Sequence, residues 1–364
     1  MSVSLYCYNP IRFSSFEKQD IKTFNELYKI INFGVAFIDR TEIIKTPVRT
    51  AIPLQLKLPA YDSTFNMSYE ECCQARVRKI LKKQEELDVP ISLLYSGGID
   101  SSLILVSFIK ELGMTEAEKR IQIMLHTESI EENPWMWHRI LRRSNFKMIA
   151  SEEMSNNWNK EKLIVGGEFN DQLMGSEMIR KLCEWKGDRI LHQPWTETLM
   201  TEFHLYMNLS KEDAEHWTKV FLEHVKRAPC AVETVYEWWW WINFTCKWSS
   251  IYFRLLMHVK NKALVTQEYL DNYYFQFYGD ENFQKWSMVN RTHKIKDSWL
   301  SYKWHSKELI AEVCGEEYKS KIKRGSLWRL LSYTIGAEAI DQNYNFIEKV
   351  KPIDWYNSNN SFII

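Results

Sequence analysis

Residues 93–113, LLYSGGIDSSLILVSFIKELG, contain the groups in this chain that are best suited to chemistry. An apolar run of strand length stops at Ser-Gly-Gly and continues at once as an apolar helix. Glycines let the backbone turn tightly and bring several N–H groups to one point, where the helix N-terminus adds about half a positive charge. The segment therefore predicts a phosphate or pyrophosphate site, with the hydroxyls of Ser96, Ser101 and Ser102 as further donors.

Asp100 is an acid inside this predicted anion site. A carboxylate there would repel the ligand unless a cation lay between them, so the sequence predicts Mg²⁺ bridging Asp100 and phosphate oxygens. The segment is not a Walker loop, because it lacks the pattern G-x-x-x-x-G-K-[ST].

Residues 96–101, Ser-Gly-Gly-Ile-Asp-Ser, resemble the S-G-G-x-D-S loop of the PP-loop ATP pyrophosphatases. Members of that family cleave ATP between its α and β phosphates, transfer AMP to a substrate and hold pyrophosphate in this loop. From the strand ends we expect the adenine between Leu94 and Tyr95 on one side and residues 124–126 on the other. The resemblance implies an ATP and pyrophosphate site formed by Leu94, Ser96, Gly97, Gly98, Ile99, Asp100, Ser101 and Ser102.

A second motif, GEFNDQLMG at residues 167–175, is similar to the G-(E/D)-G-x-D-E-L-F-G segment of asparagine synthetases and their relatives. The similarity implies that Asp171 is the second Mg²⁺ ligand and Glu168 the general base, with Gly167 at the ATP site. Three positions depart from the family pattern, which has glycine, an acid and glycine there: Phe169, Gln172 and Ser176.

Residues 305–326 resemble a late stretch of the same family, in which a basic helix leads into an R-x-K-x-G segment. The segment Lys321-Ile-Lys323-Arg324-Gly325 fits, with Lys for Arg at its first position. Lys323 then aligns with the lysine that neutralises pyrophosphate and the charge developing on the adenylate, and Lys321 joins the pyrophosphate site. A solvated basic run is the competing interpretation.

Together these resemblances imply an ATP-dependent amide-bond synthetase that forms AMP and pyrophosphate, with ATP and Mg²⁺ as cofactors. It would adenylate a carboxylate and transfer it to ammonia or an amine. Asparagine synthetases begin with a glutaminase domain that has cysteine at position 2, whereas this chain has Ser2 and its first cysteine is Cys7. We therefore expect no hydrolysis of glutamine. Two alternatives stay open: a PP-loop enzyme that modifies a nucleobase or tRNA, and a nucleotide-binding protein without turnover.

The elements that must position these residues predict an α/β fold. Apolar runs at 89–95, 121–125, 146–150 and 162–165 read as strands, and helical patterns at 101–112 and 134–143 alternate with them. Such alternation favours a doubly wound parallel sheet, here of the PP-loop, adenine nucleotide alpha hydrolase-like type.

The same patterns predict the division of the chain. We expect a small β-rich segment at 1–67, a glutaminase remnant or replacement, because short apolar runs alternate there with prolines. The synthetase-like domain would follow at 68–364, with its α/β core to about 195 and a helical part from about 196. Within that part, four tryptophans at 238–241 predict a helix buried on several sides rather than a base-stacking platform.

Composition narrows the partners. Lys plus Arg and Asp plus Glu both number 47, so the formal net charge is zero, which argues against a long nucleic acid but is compatible with a local basic patch. The seven cysteines are odd in number and form no C-x-x-C pair, which argues against a disulfide framework and a zinc cluster of that kind. Without a signal-peptide pattern or an apolar run of ~18 residues, we expect a cytoplasmic protein and no membrane.

Overall fold

A computed structural model describes most of the central part of the chain and several shorter pieces. The described residues are 2–4, 7–8, 15–17, 26–27, 29–31, 39–44, 57–125, 127–150, 158–176, 178–249, 251, 264, 266–322, 337–340 and 346–350. Among them, no helix combines the length and apolar character needed to cross a membrane.

The strands and helices are numbered here in chain order. The strands are β1 (Ser2–Ser4), β2 (Cys7–Tyr8), β3 (Ser15–Glu17), β4 (Ile91–Leu94), β5 (Ile121–Leu125), β6 (Lys147–Ala150), β7 (Leu163–Gly166), β8 (Tyr274–Gln276), β9 (Ala337–Ile340) and β10 (Phe346–Val350). The α-helices are α1 (Tyr69–Leu87), α2 (Ile99–Leu112), α3 (Met114–Arg120), α4 (Thr127–Glu132), α5 (Pro134–Arg139), α6 (Asn170–Met174), α7 (Met178–Lys186), α8 (Glu197–Tyr206), α9 (Lys211–Lys226), α10 (Val235–Cys246), α11 (Gln267–Asn272), α12 (Glu281–Val289) and α13 (Trp304–Cys314).

The chain forms two compact units, each discontinuous in sequence. The sheet unit comprises Pro59–Asn170 and Val259–Trp328, and the aromatic unit comprises Met1–Leu58, Asp171–His258 and Arg329–Ile364. The sequence-based division, by contrast, was into continuous segments at 67 and near 195. Burial in a common core, which defines a compact unit, joins residues irrespective of their distance along the chain.

The sheet unit contains five parallel strands in the order β6-β5-β4-β7-β8. This confirms the predicted α/β class with a parallel sheet. The chain runs outward from β4 through β5 to β6 and then returns to the other side of β4 as β7, so the strand order reverses between β4 and β7. Ligands of open α/β sheets bind beyond the carboxyl ends of the strands at such a reversal. The loops after β4 and β7 carry the two principal motifs.

Local sequence explains the elements around the first motif. Helix α1 begins with a complete capping box, in which Ser68 and Glu71 each satisfy a backbone N–H of the other, as the pattern S-x-x-E predicts. The apolar residues Ile91 and Leu93 of β4 are fully buried, as is typical of a strand inside a parallel sheet. Helix α2 is buried along most of its length, from Ile99 to Phe108, and ends at Gly113.

Several predictions for the two ends of the chain need correction. Strands β8, β9 and β10 lie in the part expected to be helical, and β2 near the N-terminus pairs with β9 near the C-terminus. Residues 29–31 are helical, and residues 39–44 form turns where alternation predicted a strand. The turns form because the Asp39 carboxylate accepts the backbone N–H groups of Thr41, Ile43 and Ile44, which holds the chain in a bend.

The aromatic unit is organised around α10. All twelve residues of this helix are buried, and the four tryptophans at 238–241 have 0% exposed surface, as the sequence predicted. Each buried indole removes about 150–250 Å² from water, or roughly 4–6 kcal/mol as an upper estimate. A base-stacking role for these four rings is wrong, because no ring face is accessible.

Candidate functional site

The loop between β4 and α2 forms a backbone cradle. The hydroxyl of Ser96 accepts the N–H of Gly98 at 3.3 Å and lies 3.2 Å from the hydroxyl of Ser101. Gly98 is the N-cap of α2 and supplies no side-chain cap. The first amide groups of a helix have no intrahelical partners, so those of this fourteen-residue helix can serve an anion.

Gly97 is required by the shape of this loop. Its φ is +74°, and a Cβ placed on it would lie 2.0 Å from the backbone oxygen of Ser129. We predict that Gly97→Ala abolishes tight anion binding and lowers the free energy of unfolding by more than the ~1–2 kcal/mol that a positive φ costs an L-residue. Pyrophosphate binding and denaturant unfolding would measure both effects.

Gly113→Ala is the matched control for that variant. Gly113 has a φ of +73°, but a Cβ there meets nothing within 4 Å, so its substitution carries only the conformational cost. Equal losses of stability and binding in the two variants would contradict the steric role of Gly97.

Asp100 lies in the first turn of α2 and accepts hydrogen bonds from three side chains. Its Oδ1 accepts hydrogen bonds from Lys303 Nζ and Asn170 Nδ2, both at 2.7 Å, and its Oδ2 accepts from Lys303 Nζ at 2.6 Å. The Tyr278 hydroxyl donates to the Asp100 backbone oxygen at 2.8 Å. A carboxylate offers about four lone-pair directions, so these bonds fill three and leave one on Oδ2.

Lys303 reaches Asp100 from an unusual backbone conformation. It lies at the N-cap of α13 with a φ of +60°, and its side chain is only 1% exposed. A non-glycine residue with positive φ is uncommon and costs free energy, and such residues cluster at functional sites. The ion pair with Asp100 helps to offset this cost.

Two further buried lysines belong to the same unit. Lys307, one turn along α13, donates to the backbone oxygen of Leu300 at 2.7 Å, and Lys321 pairs with the Glu132 carboxylate at 3.1 Å. Burial, followed by the charges of Lys303 and Lys321, lowers the pKa of Lys307 to about 8. Burial of Lys321 is at odds with a solvated basic run at that position.

The second motif lies directly against the first. A Cβ on Gly167 would lie 3.3 Å from Ile104 Cδ1 and 3.4 Å from the backbone nitrogen of Ser101, so the two motifs are in close contact at this glycine. The N–H of Glu168, which is half-buried, donates to Gln276 Oε1 at 3.2 Å. Strand β8, which carries Gln276, thereby fixes the backbone of the predicted general base.

Two residues of the second motif have a positive φ, a backbone conformation that favours glycine. Phe169 has a φ of +78° and Ser176 a φ of +62°, both at positions where asparagine synthetases have glycine. A bulky residue such as Phe169 adopts this conformation only when the surroundings impose it. Two carbons of its ring lie 3.4 Å from the position that a Cβ would take on Gly279, so the ring packs closely against this glycine.

No family model matches this chain. A search among curated proteins found no match either. Any function therefore rests on the geometry of the site itself.

The structure brings many of the sequence-predicted site residues together and leaves others apart. The loop 96–102 and the stretch 167–170 are in contact through Gly167 and through the bond from Asn170 to Asp100. Asp171 follows Asn170 in the first turn of α6 and is partly exposed. Leu94 ends β4 and is partly buried. Lys323 and residue 126 lie outside the described residues.

Four residues of the site were missed by sequence reasoning: Asn133, Asn170, Tyr278 and Lys303. Asn133 donates to the Ser102 hydroxyl at 2.8 Å and accepts from the N–H of Met136 as the N-cap of α5. Of the four, only Asn133 could have been predicted from local sequence, because Asn directly before Pro is typical of a helix start. Lys303 is separated from Asp100 by about two hundred residues and lies in an aromatic run without a motif.

Proposed function

We propose that this chain is an ATP-dependent, AMP-forming ligase that adenylates a carboxylate and transfers it to ammonia or an amine. The observation that carries the proposal is the place of Asp100: an acid in the first turn of an uncapped helix, after a glycine loop at the reversal of the sheet. A helix N-terminus would accept many anions. An acid at this position favours a ligand that brings its own cation, as a nucleoside triphosphate does.

The finer fold assignment is part of this proposal. A loop of the form S-G-G-x-D-S after the central strand of a parallel sheet supports a PP-loop fold. The positive φ values of Phe169 and Ser176 support the similarity of the second motif to that of asparagine synthetases. The backbone at both positions has a conformation that favours glycine, the residue that asparagine synthetases have there.

Mg²⁺ fits the donor set of Asp100 in a limited way. One lone-pair direction on Oδ2 remains for it, and carboxylate oxygens are the ligands that Mg²⁺ prefers. Asp171 would supply a second carboxylate. When bound, the ion would neutralise charge on the phosphate oxygens of ATP and on the departing pyrophosphate.

We assign the binding of pyrophosphate and the transfer of the proton to side chains and amides of the chain itself. The amides of the loop and the hydroxyls of Ser96 and Ser101 would hold pyrophosphate, with the buried lysines supplying positive potential. The substrate carboxylate attacks the α-phosphorus as the bond to the bridging oxygen breaks and pyrophosphate leaves. An amine then attacks the acyl carbon, AMP departs, and Glu168 accepts the amine's proton. Lys323 is proposed to offset the adenylate charge.

The test is a product assay with purified full-length chain, ATP, Mg²⁺, ammonium or an amine, and a panel of carboxylic acids. We expect AMP and amide to form in equal amounts with at least one acid. Formation of ADP and phosphate, rather than AMP and pyrophosphate, would contradict cleavage between the α and β phosphates.

A second candidate is a nucleotide-binding protein without turnover. The Asp100–Lys303 ion pair favours it, because Lys303 supplies at Asp100 the positive charge that a metal would otherwise bring. Measuring ATP affinity with Mg²⁺ and with a chelator separates the two candidates. A ligase should bind ATP much more tightly with Mg²⁺, whereas a binder that relies on Lys303 should be indifferent.

Lys307 interacts electrostatically with Lys303, the partner of Asp100, so its lowered pKa predicts a pH dependence of anion binding at this site. Its pKa of about 8 means that the lysine carries its charge below that pH and loses it above. We expect pyrophosphate affinity to fall roughly three- to tenfold between pH 7 and 9, the effect of one partly screened charge. Lys307→Met should bind more weakly at pH 7 and show a flatter profile, while the exposed Lys319→Met should behave like wild type.

A further inference from the structure

The ammonium group of Lys303 lies between the two oxygens of the Asp100 carboxylate. Its Nζ is 2.7 Å from Oδ1 and 2.6 Å from Oδ2, so it is nearly equidistant from them. A cation that is bound by both oxygens of a carboxylate occupies this same position, and Ca²⁺ does so at about 2.3–2.6 Å from each oxygen. Lys303 therefore fills the place in which Asp100 would hold an ion with both of its oxygens.

The position of this ammonium group is fixed by the protein around it. The Lys303 side chain is 1% exposed, and its backbone forms the N-cap of α13. Its Nζ also lies 5.5 Å from the centroid of the Tyr302 ring. Moving away from Asp100 would leave a buried charge without its counter-charge, which is strongly unfavourable. An incoming ion therefore meets Asp100 with the lysine in place.

Asn170 closes the remaining direction on Oδ1 of Asp100. Its Nδ2 donates there at 2.7 Å, and its own Oδ1 accepts the hydroxyl of Tyr69 at 2.8 Å. That hydroxyl lies 3.3 Å from the Ser306 hydroxyl, which in turn lies 3.4 Å from Asn170 Nδ2, so three buried side chains form a closed ring. A flipped amide would turn its oxygen towards the carboxylate and lose the bond from Tyr69. The ring therefore keeps the amide nitrogen against Asp100.

Asp100 can then give a cation only one oxygen. Lys303 and Asn170 together leave a single lone-pair direction, on Oδ2. Such a ligand suits Mg²⁺, which requires octahedral geometry, keeps several waters and takes one or two carboxylates together with substrate phosphates. It suits Ca²⁺ less well, because Ca²⁺ takes about six to eight oxygens and loses one of them when a carboxylate cannot give both.

We propose that Lys303 is a specificity-determining residue, which makes this site accept ATP with Mg²⁺ and discriminate against ATP with Ca²⁺. It does so by occupying the position on Asp100 in which both oxygens would bind one ion. The assignment rests on the ATP site proposed above and adds the basis of its cation specificity. The resemblance to asparagine synthetases does not supply it, because Lys303 lies outside the motifs that carry that resemblance.

The experiment measures the affinity of the full-length protein for ATP by calorimetry, once with Mg²⁺ and once with Ca²⁺. We expect the wild type to bind ATP at least about tenfold more tightly with Mg²⁺, a usual effect of the groups around a metal ligand. Lys303→Met should lose most of this preference, because both oxygens of Asp100 then become available to one ion. If that variant fails to fold, the preference of the wild type decides.

Two variants control for charge and for hydrogen bonding. Lys307→Met removes a neighbouring buried lysine that does not bond to Asp100, and Asn170→Leu removes a donor from Oδ1 but leaves Lys303 in place. Both should change the affinities with Mg²⁺ and Ca²⁺ by similar factors and so keep the preference. A loss of general structure would likewise lower both affinities together.

The outcomes separate this assignment from the proposed reaction. A wild type that binds ATP equally well with both ions, or Lys303→Met that keeps the full preference for Mg²⁺, would overturn the assignment even if AMP forms. A chain that shows the preference and its loss in Lys303→Met but forms no AMP would refute the ligase and support the assignment.

Discussion

Asp100→Asn is expected to abolish AMP formation and to lower the free energy of unfolding by about 3 kcal/mol. Activity is lost because the neutral amide brings no negative charge to Mg²⁺, which it ligates more weakly than a carboxylate does, and cannot form the ion pair with Lys303. Stability is lost because Lys303 remains buried without its counter-charge, and breaking a buried pair costs about 3–5 kcal/mol. The lower end applies, since the Asp100 side chain is 21% exposed. Denaturant unfolding and an AMP assay measure the two effects.

A double variant separates stability from chemistry. Asp100→Asn combined with Lys303→Met removes both charges, so it should recover most of the lost stability while remaining inactive. Glu312→Gln, which breaks an exposed pair with Lys110, should change the free energy of unfolding by less than about 1 kcal/mol. Near-native AMP production by Asp100→Asn would refute the role of this carboxylate in the proposed reaction.

Glu168→Gln is expected to block the second half-reaction and spare the first. The neutral amide cannot take the proton of the attacking amine, whereas adenylation of the carboxylate does not use this group. Substrate-dependent exchange of pyrophosphate into ATP should therefore persist, while amide product falls by at least 10²-fold. The two assays are run on the same preparation.

Glu161→Gln is the control for Glu168→Gln. Glu161 is exposed just before β7, so its substitution should leave both half-reactions unchanged. Loss of pyrophosphate exchange in Glu168→Gln would assign this residue to nucleotide or metal binding instead of proton transfer.

Local sequence alone determined the elements that carry the site. Three of these features depend only on neighbours within a few residues, and the sequence therefore predicted them. They are the cap at Ser68, the apolar strand at 91–94 and the helix end at Gly113. The tight loop after this strand could be predicted for the same reason, since the glycine at 97 permits its positive φ. The burial of the four tryptophans followed from their placement on all sides of one helix.

The tertiary structure decided what surrounds those elements. Strand β8 has only three residues, too few for a periodic signal, and it forms because β7 offers it an edge to pair with. Lys303 could be assigned to the site only from the fold, which buries its side chain next to Asp100. A buried ammonium group needs a partner of opposite charge, and Asp100 is that partner. Asp39 and His224, nearly two hundred residues apart, likewise meet only in the folded chain. Contacts between residues far apart in sequence leave no trace in local spacing, because packing and burial alone bring them together.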